Sequence, residues 1–151
     1  MAVLLALQSV GLVLNFSLAA AFPAAAITWQ PAAVFAGGIA LMLLGVALRW
    51  YSIWTLGRYF TPEVAVSADQ PVVQRGPYRL VRHPAYSGTL LTMLGLGLAT
   101  GSWAGLLVLM VCVCAGYLYR VPVEEAALVR TLGQPYLDYM RRTRRFIPRL
   151  F

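Results

Sequence analysis

HPAYSGTLLTMLGLGLATGSWAGLLVLMVCVCAGYLYR, running from His83 to Arg120, is the stretch that decides the fold. It holds two apolar runs, about Tyr86 to Ala99 and about Trp103 to Tyr119, parted by the tight uncharged turn Gly101-Ser102. A turn this short forces a helical hairpin. Its two ends, His83 and Arg120, must therefore emerge on the same side of whatever the hairpin crosses.

Outward from the hairpin the same character continues. Val3 to Phe22 and about Ala32 to Trp54 are each long enough to cross roughly 30 Å of hydrocarbon at about 1.5 Å per residue. The run from Tyr86 is shorter and is expected to begin at the interface, with Pro84 tolerated in its first turn. Of the 151 residues, 60% are hydrophobic and only 11% charged. The mean hydropathy is +0.73. A soluble domain carries about a quarter charged residues, so an ordinary soluble fold is excluded.

All twelve basic residues are arginine, against five acids, for a net charge of +7. They gather between Arg49 and Arg82 and from Arg120 to Arg149, and are read as flanking the apolar runs without entering them. Arginine-rich connections mark the cytosolic side of a membrane, which gives four spans with both termini inside. Nucleic-acid binding is set aside because no independent basic domain exists. The N-terminus lacks the basic region of a secretory signal, and its apolar run has span length, so the first span is expected to be retained. Gln8, Gly11 and Asn15 fall on one face of that helix and should look toward protein. Arginine without lysine, with abundant Ala and Gly, points to a GC-rich bacterial gene and hence to a bacterial inner membrane. The sequence leaves the oligomeric state open.

The expected architecture is all-α and integral to the membrane, with about four transmembrane helices and a C-terminal interfacial segment. It is one domain over 1–151, comprising two N-terminal spans (1–56) and a region (57–151) that carries the polar motifs. The tail reads as two short helices. Pro122 opens the first, with Glu124 and Glu125 in its first turn, and Gly133-Gln134-Pro135 interrupts before the second. Tyr136, Leu137, Tyr139 and Met140 alternating with Asp138, Arg141 and Arg142 suit a helix lying in the interface.

Three clusters could carry chemistry. Gly76 to Tyr86 holds the sole histidine, two prolines, two tyrosines and arginines, stiffened where Gly76 and His83 precede proline. As anchors alone, these residues would form an interfacial belt. Arg120, Glu124 and Glu125 form the second; Arg120 and Glu124 are one helical turn apart and could equally be a plain salt bridge. Thr61-Pro62-Glu63 is the third, otherwise a solvated loop. The hairpin brings the first two clusters to one rim, and convergent polar groups over an apolar bundle define a candidate site. No Ser-His-Asp or Cys-His pairing is apparent, and no second histidine offers a metal site. Cys112 and Cys114, two residues apart in an apolar helix, point about 200° apart and read as apolar fillers. What remains is a reaction governed by positioning and charge complementarity, such as methyl transfer from a sulfonium.

The run Gly-Pro-Tyr-Arg-Leu-Val-Arg-His-Pro-Ala-Tyr-Ser-Gly (76–88) resembles the isoprenylcysteine carboxyl methyltransferase family and the related phospholipid methyltransferases. Glu124-Glu125, Leu132-Gly133-Gln134-Pro135-Tyr136-Leu137-Asp138-Tyr139 and Arg145-Phe146-Ile147-Pro148 follow in the family's order. The likeness covers about Gly57 to Phe151, with Leu132 standing where the family often has Phe. It implies an S-adenosylmethionine-dependent methyltransferase. By matching position, Val72, Val73, Tyr78, His83, Pro84, Tyr86, Glu124 and Glu63 would contact the cofactor, Glu124 through its amino group. Arg120 would orient an anionic, lipophilic acceptor entering from the membrane lipid. The competing expectations are an NADPH-dependent reductase of sterol-reductase type, with Arg75, Arg79 and Arg82 on the phosphates, and a non-catalytic scaffold.

Overall fold

The computed structural model describes residues 2–60 and 70–148. Glu63, with Thr61 and Pro62, lies outside the described residues. Five α-helices follow in order: α1 (Ala2–Ala21), α2 (Pro31–Leu56), α3 (Pro84–Ala99), α4 (Trp103–Leu132) and α5 (Gln134–Arg142). Their starts follow local chemistry. Proline occupies the first turn of α2, α3 and α5, where its missing N–H costs nothing. Ser102 caps α4 by accepting from the Gly105 N–H at 3.3 Å.

The protein is integral to the membrane. Three helices, α1, α2 and α4, are long and apolar enough to cross a bilayer. The third expected span, α3, has only 16 residues, or about 24 Å, and packs between α2 and α4. Exposed aromatics bracket the bundle. Trp29 and Trp103 stand at one end, and Trp50, Trp54 and Tyr119 at the other, about 30 Å apart along α2. Such belts sit at the two headgroup levels.

Small residues set the packing of α2 on α3. A Cβ at Gly45 would lie 2.5 Å from the Gly88 carbonyl oxygen, and one at Gly38 would lie 2.6 Å from that of Gly95. Only glycine lets the two backbones approach so closely, the usual device where lipid offers no hydrophobic drive. On the other side α1 packs on α4 with Leu4, Gly11 and Asn15 buried, the face expected from their spacing. Thr100 donates to Asn15 Oδ1 at 3.0 Å, and Gln8 donates to the Tyr117 hydroxyl at 3.3 Å. Leu4, Leu109, Val113, Tyr117 and Val121 form the core between these helices.

Two expectations need correction. Pro122 does not open a new helix: α4 runs on through it to Leu132. Proline removes one bond, to the Leu118 carbonyl, but Val121 and Glu125 on either side are buried, and that packing carries the helix across the gap. Arg49 does enter an apolar run, lying inside α2. It is satisfied there by Thr89 Oγ1 at 2.9 Å and the Ala85 carbonyl at 3.5 Å, both on α3. On α5 the aromatic face packs against protein, with Tyr136 and Tyr139 both buried.

Candidate functional site

The loop before α3 is held from three sides. Gly76 takes a positive φ of 56° with Tyr51 and Thr55 directly over it; a side chain there would be strained and crowded. A single 3-10 turn, Gly76–Arg79, follows and buries Tyr78. The Tyr139 hydroxyl on α5 donates to the Tyr78 carbonyl at 2.7 Å. The tail after α5 then runs beside the loop like a short strand. Arg82 N–H donates to the Arg144 carbonyl at 2.7 Å, and His83 N–H to the Arg145 carbonyl at 3.0 Å. Ser87 Oγ closes the strap on the Phe146 carbonyl at 2.7 Å.

The hairpin delivers the two acids to this loop as its topology requires. Glu124 and Glu125 are adjacent on α4 yet point to different surroundings. Glu125, with its side chain 5% exposed, accepts from Arg82 Nε at 2.9 Å and Arg145 Nη2 at 2.7 Å. Its Oε1 also lies 3.2 Å from His83 Nε2. Glu124, 24% exposed, accepts from the Tyr86 hydroxyl. Arg120 Nε stands 3.6 Å from its Oε2, and His83 Nδ1 stands 3.9 Å from its Oε1. The His83 and Tyr86 rings stack at 5.4 Å, 10° from parallel, and Tyr86 leans on Tyr117 at 4.6 Å.

Glu124 faces an open cavity of about 840 Å³, counted with its mouth. The end of α2, residues 70–73, the histidine loop, the far part of α4 and α5 all wall it. Among the expected site residues, Val72, Val73, Tyr78, His83, Tyr86 and Glu124 line it. Pro84 does not. It is fully buried at the start of α3, where its ring fixes the backbone behind His83. Arg120, buried one helical turn before Glu124, does not line the cavity either. It lines a separate crevice with Ala2, Val3 and Leu4 of α1.

Sequence reasoning left several wall residues out. Tyr136 and Tyr139 were read only as part of an interfacial helix, although their i, i+3 spacing is a visible signal for one shared face. Arg82 and Arg145, which clamp Glu125, could be seen only as charge. Burial pushes the phenols of Tyr78 and Tyr136 well above the ordinary tyrosine value, and that of Tyr139 up to about 12. At neutral pH these tyrosines therefore carry no charge and keep their hydroxyl protons. Among the described residues no cluster of His, Cys, Asp and Glu could hold a metal.

A family model for phospholipid methyltransferases matches residues 33–135. Protein-S-isoprenylcysteine O-methyltransferase B of Arabidopsis thaliana is 30% identical over 74% of this chain and 57% of its own length. The cobalt-zinc-cadmium resistance protein CzcN of Cupriavidus metallidurans is 32% identical over 82% of this chain and 53% of its own. The chain thus spans a little over half the length of these relatives. Among solved structures, a eukaryotic intramembrane Ras methyltransferase, isoprenylcysteine carboxyl methyltransferase, superposes with a TM-score of 0.71 at 28% identity. It covers 95% of this chain and 51% of its own.

Proposed function

The chain belongs to the phospholipid methyltransferase family, and from that premise we propose that it transfers a methyl group from S-adenosylmethionine to a lipophilic acceptor at the cytosolic membrane surface. The observation that carries this reading is Glu124. Its carboxylate opens into a cavity walled by phenols and valines, at the base of an apolar bundle. The donor set suits the cofactor: a carboxylate for an ammonium group, and aromatic and aliphatic walls for a nucleoside.

S-adenosylmethionine supplies, when bound, a methyl group already activated on a sulfonium, so the protein's task is to bind, orient and keep out water. Glu124 pairs with the cofactor's ammonium in a charge-assisted bond. Val72, Val73 and Tyr78 form the apolar wall, and His83 and Tyr86 bracket the carboxylate, with Pro84 fixing the loop behind them. Arg120 reaches Glu124 from one side and the α1–α4 crevice from the other. It is therefore placed to draw an anionic acceptor headgroup from lipid toward the cavity. Glu63 is kept as a cofactor contact only on grounds of sequence position. The arginine-rich end of the bundle, which carries the cavity, is assigned to the cytosol by the positive-inside rule, in a bacterial inner membrane with both termini inside.

The reductase reading fares worse. Its phosphates would call on Arg75, Arg79 and Arg82, and two of these, Arg75 and Arg82, already donate within the protein to the Thr55, Met140 and Thr143 carbonyls and to Glu125. Equilibrium binding of radiolabelled S-adenosylmethionine to purified protein tests the proposal. Binding is expected in the wild type and at least tenfold weaker in Glu124→Ala. Thermal stabilisation by NADPH and none by S-adenosylmethionine would overturn it.

A further inference from the structure

We propose that Glu125 is a positioning residue: it holds the His83 imidazole as the Nε2–H tautomer and leaves Nδ1 a hydrogen-bond acceptor beside Glu124. The inference uses the functional reading above only to name the ligand group that Nδ1 receives.

The ring is fixed before its proton is considered. The His83 side chain is 4% exposed. Tyr86 stacks on it at 5.4 Å, and Phe146 of the tail tilts against it at 6.1 Å. Its Nε2 lies 3.2 Å from Glu125 Oε1. Arg82 and Arg145 donate to the same carboxylate, which holds it ionised. An ionised carboxylate only accepts, so Nε2 must carry a proton.

The other nitrogen faces the second acid. Nδ1 is 3.9 Å from Glu124 Oε1, beyond a real hydrogen bond. Three guanidiniums, Arg82, Arg145 and Arg120, already face the two carboxylates. The Tyr86 hydroxyl donates to Glu124 and offers Nδ1 no proton. With Nε2–H given to Glu125, Nδ1 is the ring nitrogen turned toward Glu124 and the cavity, and the proposal assigns it the lone pair. A ligand ammonium that gives one N–H to Glu124 has another to give to Nδ1. With the opposite tautomer, an N–H would face that ammonium and repel it. The twin acids thus divide the work: Glu124 meets the ligand, and Glu125 sets the polarity of the group beside it.

His83 is the sole histidine of the chain, so nitrogen-15 histidine labelling in nanodiscs reads this one ring without assignment. At pH 7.5 the expected spectrum shows a protonated Nε2 and a bare Nδ1. Glu125→Leu should give mixed tautomers and at least tenfold weaker S-adenosylmethionine binding. Arg145→Gln, which removes a partner of the same carboxylate and leaves the ring contact, should keep the tautomer. Should Glu125→Leu not fold, Glu125→Gln decides: the Nε2 proton is expected upfield, reporting a weaker hydrogen bond, and an unmoved proton overturns the proposal. It also falls if the wild type shows Nδ1–H or an imidazolium, or if folded Glu125→Leu keeps a pure Nε2–H form. The spectra need no cofactor. A wild type with the expected tautomer and no S-adenosylmethionine binding would sink the functional reading and leave this one standing.

Discussion

Arg120 shows how far one helical turn can separate two roles. Its Nε is 3.6 Å from Glu124, and it also lines a crevice against Ala2, Val3 and Leu4 of α1 that is separate from the cavity. The side chain is almost fully buried, and an uncompensated guanidinium in that position would be costly, so Glu124 offsets its charge. If Arg120 serves the acceptor and Glu124 the cofactor, their variants should separate in steady-state kinetics. Arg120→Met keeps the length of the aliphatic stem and removes the charge. It is expected to raise KM for an anionic acceptor roughly tenfold or more, the loss of about one charge-assisted hydrogen bond. S-adenosylmethionine affinity, measured by direct binding, should change less than threefold. An equal loss in both measurements would mean that Arg120 acts only as the counter-ion of Glu124.

Among the elements, the α2–α3 pair is the least tolerant of change. With the Gly45 Cβ position 2.5 Å from the Gly88 carbonyl oxygen and from Thr92, Gly45→Leu must force the helices apart. Overpacking of this kind costs about 1–3 kcal/mol. The same shift moves Arg49 off Thr89 and Ala85, so a lower thermal midpoint in detergent is expected, together with weaker cofactor binding. Gly37, with open space around it, is the control: Gly37→Leu should leave the midpoint within a degree or two. The docking of α5 gives a second test. Tyr139, pushed up to about 12 by burial, stays protonated where an unfolded tyrosine ionises near 10. Its stabilising contribution is complete below about pH 10 and fades as the pH climbs toward 12. Thermal midpoints should fall between pH 9 and 11.5, less steeply in Tyr139→Phe, which starts lower because it has lost the bond to the Tyr78 carbonyl. These elements were legible in the sequence to different degrees. The four apolar helices could be read from run length, and the meeting of His83 with Glu124 from the short Gly101-Ser102 turn. The continuity of α4 through Pro122 could not be read, because tertiary burial of Val121 and Glu125 overrides the local proline signal. Nor could the inward face of α5: aromatics beside arginine look alike whether they meet lipid or protein, and only the path of the tail distinguishes the two.

Across the whole molecule, the cavity exists because three distant parts of the chain close on each other: the histidine loop, the far end of α4 and the tail after α5. The bundle below touches the tail mainly through Phe146, which leans on Tyr117. Its α1–α4 and α2–α3 contacts lie within residues 2–132. The loop needs it badly. The tail accepts from the backbone N–H groups of Arg82 and His83 and from Ser87, supplies the Thr143 carbonyl to Arg82, and brings Arg145 to Glu125. Ending the chain after Arg142 therefore takes partners from the Arg82 and His83 N–H groups, from Ser87 Oγ and the Arg82 guanidinium, and from the buried Glu125 carboxylate, each worth about 1–3 kcal/mol if unmet and buried. The loop should respond by opening, because a local rearrangement into water is less costly than those unmet bonds. The truncated protein is expected to insert in membranes, with helical circular dichroism per residue close to that of the full chain. It should lose S-adenosylmethionine binding by a hundredfold or more. Hydrogen exchange should rise at residues 76–83 and stay unchanged in α2 and α3. Exchange that rose through the bundle as well would show that the tail supports the fold as a whole, and tight binding without the tail would show that the cavity closes without its strap.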